Sequence, residues 1–317
     1  RDGFGAVGVI GKGGGGVADP AARSATRAPA RPAIPAELPI DPNGRFATTY
    51  RPGGGHLAAF ESAVARGIVP AGERELVSDV GARYAPQLAK PTDRALGFGL
   101  DFERGQAAPS GGPIHLRIAL QSTEQQATER PQLSVHVVLD VSGSMRGQLI
   151  TDARTAAASL VGKLADQDRF SLVTFSTGAE VLIPAGPVGA RRDAILQTIS
   201  GIQVQGGTNI GAGLTLGYEQ AKKTDEDAVK VVFLLSDGRA NSGITNPAQL
   251  SRLALDAFQD GIQTSSFGLG SDYDGPLMSA IAQDGAGGYY YLRDSEQIAP
   301  ALATELDKRL DPVATAV

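Results

Sequence analysis

The chain has 317 residues, a formal net charge of −5 and no cysteine. Without a basic excess it has no overall field to attract nucleic acid or an anionic membrane. Without cysteine it forms no disulfides, thiolate metal sites or cysteine nucleophiles. Its histidines, His56, His115 and His136, lack the spacing of a zinc motif. Hydrophobic residues make up 42% of the chain, enough for a packed core, and no apolar run is long enough to span a bilayer.

Residues 1–55 are predicted to be a flexible N-terminal segment. This stretch is Gly-rich at first, then rich in Ala, Pro and Arg, and Gly-rich again just before His56. Such a composition buries too little apolar surface to offset the entropy of ordering the chain. Two Gly-x-Gly-x-x-Gly matches fall here, but neither lies between a predicted strand and a helix, so we interpret them as chance matches.

Residues 56–132 are predicted to contain short helices and a small accessory β module. The segments 56–67 and 72–85 have helical composition. Two later stretches alternate strictly between apolar and other residues, which is typical of half-buried antiparallel strands. The apolar positions are Leu96, Phe98, Leu100 and Phe102 in the first stretch and Ile114, Leu116, Ile118 and Leu120 in the second.

Residues 133–310 are predicted to form an α/β domain, followed by a C-terminal tail over 311–317. Strand-like runs such as LSVHVVLD, RFSLVTFS and AVKVVFLLSDG alternate with helical segments. Runs that are apolar nearly throughout indicate strands buried on both faces, and hence a doubly wound, mainly parallel sheet of the Rossmann-like type. In such sheets ligands bind at the carboxyl ends of the strands, near the point where the strand order reverses.

Three predicted loops at that edge carry oxygen donors. Asp140, Ser142 and Ser144 follow one buried strand, Asp237 follows another, and Thr208 enters a helix between them. Two carboxylates and three hydroxyls, without imidazole or thiolate, favour a hard divalent cation such as Mg²⁺, Mn²⁺ or Ca²⁺ over zinc. Taken alone, the Asp-Ser-Ser loop is also compatible with simple helix capping.

The motifs DVSGSM, GGTN and SDG, in this order and on these elements, resemble the von Willebrand factor type A (VWA) domain with its metal-ion-dependent adhesion site, or MIDAS. The resemblance covers residues 133–310, and the segment FGLGSDYDGPLMSAIAQDGAGGYYYL is similar to the closing part of bacterial members. The helices and strands upstream resemble the leading segment of bacterial VWA proteins of the lipoprotein type.

The resemblance implies a role for each site residue. Ser142 and Ser144 would be direct hydroxyl ligands, and Thr208 would bind directly or through water. Asp140 and Asp237 would act mainly through bound water. Because neutral hydroxyls would line the metal, it would stay electrophilic and take a carboxylate from an acidic residue of a partner protein. Arg146, Asn209 and Asn241 lie beside the same loops and are weaker candidates for contact with that partner.

The resemblance thus implies a metal-dependent protein-binding or adhesion module, not an enzyme, on a cell surface, in a periplasm or secreted. Two alternatives stay open. One is an intracellular scaffold that partners an AAA+ ATPase. The other is a Mg²⁺-dependent phosphoryl hydrolase, which is disfavoured because Ser at position 142 cannot act as a general acid or base near neutral pH.

Overall fold

The computed structural model describes residues 5–10, 46–49, 54–69, 76, 79–80, 89–102, 105–106, 114–123 and 130–309, apart from 225–226, 238 and 271–273. Most of the predicted helix over 72–85 and the whole of the tail 311–317 lie outside these residues. Gly238 and Asp272, which the sequence places near the site loops, lie outside them as well.

The N-terminal part of the chain forms a small antiparallel sheet of four strands. They are β1 (Gly5–Ile10), β2 (Phe46–Thr49), β3 (Leu96–Phe102) and β4 (Ile114–Ser122), in the order β2-β1-β4-β3. Strands β3 and β4 match the two alternating stretches of the sequence. Strands β1 and β2 fall inside the segment 1–55, so the expectation of a flexible segment needs correction there. Strand β1 could not be recognised from the composition of the segment, because GAVGVI is short, half of its residues are small, and glycines surround it.

The alternating apolar residues of β3 and β4 lie opposite one another. Phe98 pairs with Leu120, Leu100 with Ile118, and Phe102 with Leu116. These pairs place the apolar side chains on one face of the sheet. That face is open in the described structure, because Phe98 is 75% exposed and Phe102 is 62% exposed.

The second sheet has six strands and forms the centre of the main domain. The strands are β5 (Leu133–Asp140), β6 (Arg169–Phe175), β7 (Ala179–Pro187), β8 (Val229–Ser236), β9 (Ile262–Leu269) and β10 (Ala286–Leu292). Their order is β10-β9-β8-β5-β6-β7, and every neighbouring pair is parallel except β6 with β7.

Seven helices accompany the described strands. Helix α1 (Gly55–Ala65) precedes the small sheet's second half. The others are α2 (Gln148–Lys163), α3 (Arg192–Ser200), α4 (Ile210–Lys222), α5 (Pro247–Gln259), α6 (Gly275–Asp284) and α7 (Ile298–Asp307). No helix among the described residues is long and apolar enough to cross a membrane.

The six-stranded sheet is covered on both faces. Val137 and Leu139 of β5 pack into a core with residues of α2, α3 and α7. Val138 of the same strand points the other way, into a core with residues of α4, α5 and α6. A strand whose alternate side chains all meet a core is mainly apolar, as β5 is, and β5 is buried at every position. The predicted doubly wound α/β fold is confirmed.

Helix α1 packs against the edge of the main domain. His56 contacts the ring of Tyr289 on β10, with centroids 5.0 Å apart, and its Nε2 lies 2.7 Å from the Ser279 hydroxyl of α6. The hydroxyls of Ser62 and Tyr291 are 3.3 Å apart. A Cβ at position 55 would overlap the ring of Tyr289, so the helix begins on glycine where it meets the sheet.

Candidate metal centre

The candidate site lies where the strand order of the main sheet reverses. From β5 the chain continues through β6 to β7 on one side, and it then crosses to β8 on the other side of β5. The loops that leave β5 and β8 therefore diverge from neighbouring strands and leave a crevice between them. The Asp-Ser-Ser loop follows β5, and Asp237 follows β8.

Asp140 is fully buried at the end of β5 and is held by both of its oxygens. Oδ1 accepts a hydrogen bond from the backbone N–H of Ser142 at 2.8 Å, and Oδ2 accepts one from the Ser236 hydroxyl at 2.5 Å. Burial raises the pKa of this carboxyl, and the bonds from Ser236 and Ser142 oppose that shift only in part. A bound divalent cation would act in the opposite direction and favour the carboxylate.

The next three site oxygens form a chain across the two loops. The Ser142 and Ser144 hydroxyls are 3.0 Å apart, and the Ser144 hydroxyl donates to Asp237 Oδ1 at 2.9 Å. Ligands at right angles in an octahedral Mg²⁺ shell, each ~2.1 Å from the ion, are ~3.0 Å from each other. The distances from Ser142 to Ser144 and from Ser144 to Asp237 therefore match the distance between adjacent ligands in such a shell. Ser142 and Asp237 are buried, whereas Ser144 is exposed at the opening.

Backbone hydrogen bonds fix the loop of Thr208 beside the loop after β8. Thr208 is buried and directly precedes the residue that caps α4. Its N–H donates to Asn241 Oδ1 at 2.8 Å, and its carbonyl accepts from the N–H of Asn241 at 3.0 Å. The Thr208 loop is thus fixed to the loop after β8.

All three site loops are joined pairwise. Gly143 N–H donates to the Gly206 carbonyl at 3.0 Å, which joins the first loop to the Thr208 loop. Asn241 joins the Thr208 loop to the loop after β8, and the Ser144–Asp237 bond joins that loop to the first. The structure therefore links Asp140, Ser142, Ser144 and Asp237 by hydrogen bonds and fixes Thr208 on the adjoining loop, so the five residues that the sequence predicts as ligands lie on joined loops.

The weaker candidates divide into two groups. The Asn209 side chain accepts from Ala212 N–H at 3.1 Å as the cap of α4, and the Asn241 side chain holds Thr208. Both amide groups therefore bond within the protein's own loops. These bonds explain asparagine at positions 209 and 241 without any contact to a partner protein. Arg146 is exposed directly after the first loop.

Sequence reasoning missed two residues that support the site. Ser236 holds the second oxygen of Asp140, as described above. Thr177, after β6, accepts a hydrogen bond from Gly207 N–H at 3.0 Å through its hydroxyl, and its carbonyl accepts from the Asn209 amide at 3.2 Å. Ser236 was detectable as the residue before Asp237 at a strand end, but nothing in the spacing indicates Thr177.

The donor set determines which cations fit. Among the described residues no group of three or more His, Cys, Asp or Glu side chains is placed to hold a metal. The candidate site instead combines two carboxylates with three hydroxyls, all hard oxygen donors. Such a set suits Mg²⁺, Mn²⁺ or Ca²⁺.

Comparison with known proteins gives one family and several relatives. The model of the von Willebrand factor type A domain matches residues 134–305. An uncharacterized protein of Escherichia coli, YfbK, is 28% identical over 71% of this chain and 39% of its own length. An uncharacterized protein of Synechocystis, sll0103, is 32% identical over 61% of this chain and 46% of its own length. The chain thus spans less than half the length of these two relatives.

A solved structure with the same fold is a von Willebrand factor type A protein from Catenulispora acidiphila. It aligns with a TM-score of 0.59 and 22% identity, over 68% of this chain and 50% of that one. At this identity the likeness concerns the fold. The family match covers more than half of the 317 residues, including every loop of the candidate site. The chain therefore belongs to the von Willebrand factor type A domain family.

Proposed function

We propose that this chain is a divalent-metal-dependent protein-binding module rather than an enzyme. Domains of this family are often metal-dependent protein-interaction modules. In our proposal Mg²⁺, or Mn²⁺ or Ca²⁺ in its place, is held at the candidate centre and takes a carboxylate from an acidic residue of a partner protein. We place this activity on a cell surface, in a periplasm or in secreted form.

The chain of oxygens from Ser142 through Ser144 to Asp237, at spacings of 3.0 and 2.9 Å, is the observation that carries the proposal. Ser142, Ser144 and Thr208 would supply neutral hydroxyl ligands. Asp140 would act from outside the first ring of ligands, because both of its oxygens already accept hydrogen bonds from Ser142 and Ser236. A cation held mainly by neutral ligands keeps its affinity for an incoming carboxylate.

The same contacts argue against a phosphoryl hydrolase. The residue two positions after Asp140 is Ser142, which cannot act as a general acid or base near neutral pH. Asp140 is buried with both oxygens engaged, so it is poorly placed to act as a nucleophile.

Calorimetric titration of Mg²⁺, Mn²⁺ and Ca²⁺ into chelator-stripped protein tests the proposal. We expect saturable binding at one site, and at least tenfold weaker binding by Ser144→Ala, because the variant loses a direct ligand. Ser200→Ala is the matched control, since its hydroxyl is exposed and bonds only the Gln197 carbonyl of its own helix.

The fold of each variant is checked by urea unfolding. Unchanged metal binding by a folded Ser144→Ala variant would show that these hydroxyls are not ligands. A wild-type protein that binds none of the three ions would also contradict the proposal. If Ser144→Ala fails to fold, metal binding by Ser142→Ala is measured in the same titration instead.

A further inference from the structure

The carboxyl-end edge of the main sheet carries three arginines whose guanidinium groups form no ion pair with the described residues. Arg146 follows the loop after β5, Arg239 follows Asp237, and Arg293 follows β10. All three are exposed, and their side chains make no hydrogen bond, ion pair or ring contact with the described residues. All three lie at the carboxyl-end edge of the sheet, the edge that holds the candidate centre.

The other arginines of the main domain behave differently. Residues 133–310 contain nine arginines, and the six away from this edge all have interactions. Arg192 binds Asp166, Arg252 binds Asp256 and Arg309 binds Glu305. Arg154 and Arg191 donate to backbone carbonyls, and Arg169 is also engaged. Among the described arginines of the main domain, the unpaired guanidinium groups therefore all belong to the carboxyl-end edge of the sheet.

Arg146 and Arg239 flank the centre closely. Arg146 is two residues beyond Ser144, and Arg239 is two residues beyond Asp237. Two residues span at most about 7 Å of chain, and the Ser144 hydroxyl lies 2.9 Å from Asp237 Oδ1. Arg146 and Arg239 therefore lie within reach of the opening of the site, one on each of the two diverging loops.

The charges at this opening add to a positive total. A divalent cation would balance the two carboxylates of Asp140 and Asp237, which leaves the charges of Arg146 and Arg239. The other acids described at this edge lie on α6 and after β10. Asp274 caps α6, and Asp294 and Glu296 line a groove with Arg293 after β10, so these acids offset Arg293 rather than Arg146 or Arg239. On a chain with a net charge of −5, this opening is a local basic surface.

We infer that the partner of this site presents a cluster of acidic residues in one peptide segment, not a lone Asp or Glu. The inference rests on the proposed function, because one carboxylate of the segment binds the cation. Carboxylates before and after it in the segment pair with Arg146 and Arg239. Guanidinium groups bind carboxylates through two parallel hydrogen bonds, which suits this use.

A protein segment fits these observations better than a sulfated glycan. The basic groups surround one carboxylate-binding cation and do not extend along a track. Away from this edge, the described arginines of the main domain are already engaged, so a long polyanion would find no continuous row of free guanidinium groups.

Fluorescence anisotropy with two labelled peptides tests the inference. One peptide carries four consecutive acidic residues between glycines, and the other keeps a single Asp with serines in place of the rest. In Mg²⁺ at low ionic strength we expect the four-acid peptide to bind about three- to tenfold more tightly, from the usual strength of two exposed ion pairs. Added salt should reduce this preference.

The variant Arg146→Gln/Arg239→Gln should bring the two peptides to within about twofold of each other, while calorimetric Mg²⁺ binding stays unchanged. Lys223→Gln is the matched control. Lys223 is an exposed cation at the opposite end of α4 from Asn209, about 20 Å away for 13 helical residues. The Lys223→Gln variant should therefore keep the full preference for the four-acid peptide over the single-Asp peptide.

The outcomes separate this inference from the proposed function. Equal Mg²⁺-dependent binding of both peptides, or a preference that survives in the double arginine variant, would overturn the acidic-cluster inference alone. Binding of the four-acid peptide that persists in EDTA would support the arginines and contradict the metal's role. A heparin fragment that binds more tightly than the four-acid peptide would assign the surface to glycans. Absence of binding by either peptide would contradict both proposals.

Discussion

At the scale of single residues, His136 shows how the fold fixes a protonation state. It is fully buried in the middle of β5, where its ring nitrogens lie 2.9 Å from the Ser134 hydroxyl and 2.7 Å from the Ser171 hydroxyl. Burial, with a smaller contribution from the charge of Lys230, lowers the pKa of His136 to about 3. The ring therefore stays neutral in the folded protein over the whole range in which a free histidine titrates.

This depressed pKa makes stability depend on pH. Below the unfolded pKa near 6.5, the unfolded chain binds a proton that the folded chain does not, so stability is lost as the pH falls from about 7 toward 3. Between pH 7 and pH 5 we expect His136 to account for a loss of about 2 kcal/mol in the free energy of unfolding.

Urea unfolding of wild type and His136→Gln at both pH values measures this loss. The glutamine does not titrate, so the variant should lack the His136 share of the pH dependence even if it is less stable at pH 7. Equal pH dependence in the two proteins would show that His136 is not kept neutral by the fold.

The candidate ligands could be predicted from sequence because their spacing and donor type are local properties. The motif DVSGSM alone places three of them on one loop, and the apolar runs before it and before Asp237 place both loops at strand ends. The part played by Asn241 was not predictable in this way. It depends on a contact with Thr208, 33 residues away, which exists only when the loops have met.

At the scale of elements, α7 is fixed to the sheet by a buried carboxylate. Glu305 Oε1 accepts from the Ser265 hydroxyl at 2.6 Å and from Arg309 at 2.5 Å, and Oε2 accepts from the Tyr290 hydroxyl at 2.6 Å. Burial alone would raise the pKa of Glu305, but Arg309 and the two hydroxyls hold it below its usual value. The carboxylate thus joins the last helix to β9 and β10.

Replacing Glu305 should loosen this helix. Glu305→Ala leaves the Tyr290 and Ser265 hydroxyls and Arg309 without their shared acceptor, and we expect a loss of about 3 kcal/mol in the free energy of unfolding. Glu296→Ala, an exposed glutamate just before α7, should change stability by less than about 0.5 kcal/mol. Urea denaturation of both variants compares them, and a similar small loss in each would show that the buried network contributes little.

The elements of the main domain were predictable because its central strands β5, β6 and β8 are buried on both faces over most of their length and are therefore mainly apolar. The small sheet was predicted only in part. Strands β3 and β4 can be recognised by their alternating pattern. Strand β1 instead pairs with β2 and with β4, and such long-range pairing cannot be seen in the composition. The alternation also predicted a half-buried sheet, whereas Phe98 and Phe102 are mainly exposed in the described structure.

At the scale of the whole molecule, α1 couples the N-terminal part of the chain to the main domain. The helix contacts Tyr289 and Tyr291 on the edge strand β10 and Ser279 on α6, and Asp79 accepts from its Leu57 N–H at 2.9 Å. The predicted division at residue 132 therefore falls between two parts of the chain that touch through side chains.

A larger residue at position 55 should separate these parts. Gly55→Leu forces the Tyr289 ring out of its place, so we expect the amides of α1 to exchange with solvent at least tenfold faster while β5 and β8 stay protected. Hydrogen exchange followed by mass spectrometry reads both regions at once. Gly162→Ala, at a helical glycine with open space around it, is the control and should leave α1 unchanged. Unaltered exchange in Gly55→Leu would mean that the contact does not hold the helix.

The hydrogen bond between Ser144 and Asp237 joins residues that are 93 positions apart in the chain, on loops after the two central strands. A cation bound there would bridge the first and second halves of the doubly wound sheet. Its uptake during refolding would therefore report the moment at which β8 has docked beside β5. A chain that ends before residue 229 would keep Ser142 and Ser144 but would lack the carboxylate of Asp237.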